Sequence, residues 1–109
     1  MLRPENRAAL APIFAALGDP TRLKIVALLC AGGAFSIAQL TANTEISRQA
    51  VTKHLQVLAE AGVVRDLRMG RERLWELEPA KIEAARQALE GIGRQWEKAL
   101  GRLKVYLER

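Results

Sequence analysis

The sequence predicts a mainly α-helical fold that carries one small β-hairpin, and three observations predict it. Apolar residues recur every three or four positions over most of the chain, the period of helices with one buried face. Between residues 63 and 77 that period gives way to alternation around Met69-Gly70-Arg71, the pattern of two short strands and a tight turn. Breakers at Gly18, Gly32-Gly33, Asn43-Thr44-Glu45, Gly62 and Pro79 divide the chain into short elements. A chain of 109 residues suits one domain, residues 1–109, long enough to bury a core.

Each element has its own signals. Pro4 and Glu5 open a first helix, about residues 5–17, with Leu10, Ile13, Phe14 and Leu17 on one face. Asp19 then offers an N-cap and Pro20 a first helical position where its missing N–H costs nothing. The second helix is expected to turn Leu23, Ile25, Val26, Leu28 and Leu29 inward before Gly32-Gly33 stops it. Ser36 caps a short third helix with Ile37 and Leu40 inward. Ser47 caps a fourth that runs to Ala61, and Gly62 can take the left-handed position beyond its end. Strands are expected over 63–68 and 72–77, and a long last helix over 80–107.

The chain has a net charge of +5 and a pI near 10.0, a surplus that suits an anionic partner such as nucleic acid or an acidic membrane surface. It contains no apolar run of membrane-spanning length, and its first residues lack the continuous apolar core of a signal peptide. Cys30 is the only cysteine, which rules out an intrachain disulfide and makes the cytoplasm the expected compartment. Within the apolar run IVALLC it is expected to be a small buried hydrophobe.

The fourth helix carries the most specific chemistry. Val51, Leu55 and Leu58 form its core-facing stripe. Arg48, Thr52 and Gln56 stack away from that stripe, with Gln49 and Lys53 one position round. These are the side-chain types that read base edges and phosphates: Arg and Lys suit guanine, Gln suits adenine, and the Thr methyl can meet the thymine methyl. No acid joins them until Glu60, about two turns beyond Lys53. A short helix, a tight turn and such a helix, about residues 36–62, make a helix-turn-helix whose second member enters the major groove N-terminal end first. The following hairpin, about residues 63–78, crowds Arg65, Arg68, Arg71 and Arg73 against Asp66 and Glu72. A ribbon in that place is the wing of a winged helix, and its tip residue Arg71 can reach phosphate or the minor groove.

Three stretches in this order, DPTRLKIVALL, ISRQAVTKHLQVLAEAGVV and GRERLWELEP, resemble the ArsR-type (arsenic-repressor-like) winged helix-turn-helix regulators of prokaryotes. The likeness runs from about Leu17 to Pro79. The family's Ser-x-x-x-Val-x-x-His-Leu pattern falls on Ser47, Val51, His54 and Leu55. The resemblance implies DNA-facing roles for Arg48, Gln49, Thr52 and Lys53, and wing contacts for Arg71 and Arg73; Ser47 and Gln56 are expected to join them at the DNA. It further implies a dimeric repressor on a palindromic operator, nucleoid-associated when bound. Glu45 departs from the family, where Gly often precedes the recognition helix.

Many relatives sense metals through paired cysteines or through Asp, His and Glu on the last helix. A zinc-type site needs about four converging ligands, whereas this chain has one Cys and one His. No metal and no cofactor are therefore expected. His54 borders the core stripe and is expected to pack or to make a structural hydrogen bond. The sequence has no evident nucleophile–base or paired-carboxylate arrangement and no phosphate-cradling Gly-rich loop, so it is not read as an enzyme.

Along the last helix, Ile82, Ala85, Leu89, Ile92, Trp96, Leu100, Leu103 and Leu107 form a seam at spacings of three and four. Such a helix spans about 40 Å, more than a domain of this size covers. Its far end, Ile92 to Leu107, is expected to pack on a second copy together with Leu10, Ile13, Phe14 and Leu17. Two other readings stay open at this point: a winged-helix module that binds protein, and a regulator switched by a small ligand, a redox change or a partner protein. The sequence names no effector.

Overall fold

The computed structural model describes residues 3–109. Its elements are α1 (Pro4–Leu17), α2 (Pro20–Gly32), β1 (Ala34–Phe35), α3 (Ile37–Ala42), α4 (Arg48–Glu60), β2 (Val64–Met69), β3 (Glu72–Leu77) and α5 (Pro79–Leu107). The strands form one antiparallel sheet in the order β1-β3-β2, with Phe35 opposite Trp75 on one side and Asp66 opposite Trp75 on the other. The fold is thus mainly helical with a small sheet, and one strand more than the sequence predicts. β1 is two residues long and exists only through its pairing with β3. Gly32 makes room for it, since a Cβ there would overlap the Phe35 ring.

The helix ends form as their residues dictate. The Asp19 carboxylate accepts the Arg22 backbone N–H at 3.0 Å. Ser36 and Gln39 form a reciprocal capping box, and the Ser47 hydroxyl accepts the Ala50 N–H at 3.1 Å. After α4, Gly62 turns left-handed at φ 80° and the Val63 N–H donates to the Leu58 carbonyl.

The core joins Ile13 of α1, Ile25 and Leu29 of α2, Leu40 of α3 and Val51, Leu55 and Leu58 of α4 to Val63 and Trp75. Two expectations for α2 are corrected. Leu23 is 52% exposed and Cys30 is exposed. At 3.6 residues per turn they lie roughly 160° and 140° round from Ile25, too far to share the stripe of Ile25, Val26 and Leu29. The apolar run is wider than the face the core can accept.

α5 leaves the body after its first turns. Ala85 and Ala88 are buried and Ile82 packs against the core, but Leu89, which could have folded back with Ile82, is exposed. The chain measures 66 × 29 × 20 Å, the long axis reflecting this overhang. No helix among the described residues is long and apolar enough to cross a membrane.

Candidate nucleic-acid interface

α4 rests on the body through Val51, Leu55 and Leu58, none of which retains any exposure. That buried stripe decides which side chains face outward. Arg48, Gln49, Lys53 and Gln56 are exposed, and so is the capping residue Ser47. Thr52 sits at the margin, half-buried, with its hydroxyl donating to the Arg48 carbonyl at 2.9 Å. That bond leaves the Thr methyl as the part of the side chain best suited to an apolar contact. Among the described residues, Arg48 and Lys53 make no ion pair.

The pose of α4 is fixed from behind by a residue to which the sequence reading gave no role. The Arg22 guanidinium donates through Nε to the Ala16 carbonyl at 2.7 Å and places Nη1 3.4 Å from Nδ1 of His54. One side chain thereby links the end of α1, the start of α2 and the middle of α4. An arginine only donates, so His54 must accept at Nδ1. His54 is half-buried and serves a structural contact. The hydrogen bond from the Arg22 backbone N–H, aided by the Arg22 charge, holds the Asp19 carboxyl below its ordinary range. The signal for Arg22 was present in the quoted DPTR stretch, but an arginine half-buried at a helix start is not legible from periodicity.

The wing is the β2–β3 ribbon, closed by a two-residue turn at Gly70-Arg71 between the paired Met69 and Glu72. Its four arginines are not equivalent. Arg65, at the base, is held by Glu76 at 2.8 Å and Glu78 at 2.9 Å. Arg73 binds the Asp66 carboxylate through Nε at 3.1 Å and lies over the Trp75 ring, 4.7 Å from its centroid. Arg71 at the tip and Arg68 beside it are exposed and, among the described residues, have no acidic partner. Arg68 is the cation that the sequence reading passed over, because strand register decides which arginine meets an acid.

The residues expected to hold two copies together divide. Leu10 is 8% exposed and Ile13 1%, both inside the chain's own core, which corrects their assignment to an intermolecular surface. α1 uses that stripe to pack on the rest of its own chain. Phe14 and Leu17 are partly buried against the same core. Ile92, Trp96, Leu100, Leu103 and Leu107 are all exposed, with Trp96 at 64%. No group of three or more His, Cys, Asp or Glu side chains suited to a metal occurs among the described residues.

Comparison with known proteins agrees with this architecture. A family profile described as a helix-turn-helix domain matches residues 17–66. The HTH-type transcriptional regulator Rv2034 of Mycobacterium tuberculosis is 39% identical over 85 residues, which cover 78% of this chain and 76% of that protein. The structure of an ArsR-like transcriptional regulator from Rhodococcus sp. RHA1 superposes with a TM-score of 0.73 at 37% identity, covering 89% of this chain and 91% of that one. A homodimeric winged helix-turn-helix DNA-binding domain from Mycobacterium bovis aligns with a TM-score of 0.64 at 25% identity, covering 81% of this chain and 80% of that one. The chain belongs to the ArsR-type family of winged helix-turn-helix transcriptional regulators.

Proposed function

We propose that this regulator acts as a homodimeric repressor that places its two α4 helices in successive major grooves of a palindromic operator. The observation that carries the reading is the outward face of α4, where Arg48, Gln49, Lys53 and Gln56 stand exposed with no acid among them. In this reading Gln49 and Thr52 specify bases, Arg48, Lys53 and Gln56 support them at base edges and phosphates, and Ser47 fixes the start of the helix against the DNA. Arg71 reaches phosphate or the minor groove from the wing tip, with Arg73 beside it. Repression follows if the operator overlaps a promoter, because the bound dimer excludes polymerase. The work is done by binding, without catalysis, cofactor or metal, and in the cytoplasm.

The overhang of α5 supports the dimer. Its exposed seam from Ile92 to Leu107 is the surface a second copy would cover, with Phe14 and Leu17 at its margin. Two-fold symmetry of the protein then dictates two-fold symmetry of the site.

The test is selection of bound duplexes from a random library, followed by footprinting of the enriched sequence. The reading predicts inverted half-sites about 10–10.5 bp apart, centre to centre. Failure to enrich any sequence, or enrichment of a single unpaired half-site, would overturn it.

A further inference from the structure

We infer that Arg68 and Arg73 form a phosphate clamp on the wing, with Asp66 and Trp75 as positioning residues that hold Arg73 in place. The inference rests on the DNA-binding reading and extends its wing contacts from Arg71 and Arg73 to Arg68. Arg68 and Arg73 are directly paired across the ribbon. Cross-strand partners share one face with their Cβ atoms roughly 5 Å apart, and like charges so placed repel. The Asp66 carboxylate on Arg73 relieves part of that repulsion, and an anion between the two guanidinium groups would relieve the rest.

The clamp is built on one side. Asp66 binds only Nε of Arg73, and the Trp75 ring supports the flat of its guanidinium. Both terminal nitrogens of Arg73 are left with N–H groups to donate in the fixed fork that matches a phosphate. Asp66 offsets the charge of Arg73, so the surplus positive charge of the pair resides on Arg68, which is exposed and has no acidic partner among the described residues. Trp75 ties this arrangement to the body, being 6% exposed and paired with Phe35 of β1, the strand that leads into α3. On the same face as the two arginines, Val64 and Trp75 enter the core. The clamp thus keeps a fixed relation to the helix-turn-helix, and its ligand is a backbone phosphate of duplex DNA.

A random-sequence 30-bp duplex suffices as probe, because phosphate contacts are sequence-independent. Binding would be measured from low to moderate salt for the wild type, Arg68→Ala, Arg73→Lys and Asp66→Asn, each checked for an unchanged circular dichroism spectrum. Each phosphate contact contributes about 0.9 to the slope of log affinity against log salt. Arg68→Ala should lower the slope by about that much for each copy bound. Arg73→Lys keeps the charge but loses the fork and the stacked plane, so affinity should fall severalfold with little change of slope. Asp66→Asn should weaken binding or leave it unchanged, although it adds net positive charge. Unchanged slope and affinity for Arg68→Ala, wild-type affinity for Arg73→Lys, or tighter binding by Asp66→Asn would overturn the clamp while leaving DNA binding by α4 intact. Failure of the wild type to bind any duplex would overturn both.

Discussion

Replacing Trp96 by alanine should separate the dimer and leave the fold of each copy unchanged. Trp96 is 64% exposed in the single chain. A tryptophan side chain can bury roughly 150–250 Å², so about 100–160 Å² remains for a partner to cover. At about 25 cal/mol per Å² this amounts to roughly 2.5–4 kcal/mol for each copy. Two-fold symmetry counts the residue twice, while ordering at the interface returns part of the gain. Even if half of the total survives, the dissociation constant of the dimer should rise roughly 60- to 700-fold, at about 1.4 kcal/mol per factor of ten. Sedimentation equilibrium measures this directly. Thermal unfolding of the variant at a concentration where both proteins are monomeric should match wild type, because Trp96 lies outside the core. Self-association by Trp96→Ala at wild-type strength would refute the reasoning, as would a wild type that is monomeric at tens of micromolar.

Two further outcomes are expected. Asp19→Ala removes the cap of α2 and should lower the melting temperature. Because the folded-state pKa of Asp19 lies below its ordinary 3.8, its contribution is present above that value and is lost as pH falls through the folded pKa. The gap in melting temperature between wild type and Asp19→Ala should therefore close in strong acid, and a gap that widened there would contradict the assignment. Titrating zinc, cadmium, cobalt or arsenite into the protein–DNA complex should release no DNA. Micromolar release by one metal, abolished by Cys30→Ser, would contradict the absence of a metal site.

The fold was legible wherever local chemistry decides it. Asp19, Ser36 and Ser47 cap the helices they precede, Gly62 ends α4 in the left-handed conformation, and the alternation after Val63 becomes a ribbon. What was missed depends on partners distant in sequence. β1 has two residues and no periodicity of its own, so only its pairing with Glu76 and Trp75 reveals it. Cys30 ends a continuous apolar run and Leu23 precedes it across Lys24, so apolarity alone does not show which flank stays outside. Leu10 and Ile13 carry the same pattern whether a stripe packs within the chain or against another copy. In the candidate site, the outward side of α4 followed from the spacing of Val51, Leu55 and Leu58. The wing did not yield so readily. Composition shows four arginines, but register gives Arg65 to Glu76 and Glu78, Arg73 to Asp66 and Trp75, and leaves Arg68 and Arg71 exposed. Arg22 shows the same limit, since its guanidinium joins the end of α1 to the middle of α4.

The most direct test of the central claim, that the exposed face of α4 reads DNA sequence, compares Gln49→Ala with wild type on two duplexes. One carries the operator recovered by selection and the other is random. A side chain that reads a base contributes about 1–3 kcal/mol of discrimination in each half-site, so with two copies bound affinity for the operator should fall roughly 30- to 20,000-fold, with little change on random DNA and no change in the salt slope. Equal losses on both duplexes, or no loss on either, would contradict the assignment of that face to base recognition.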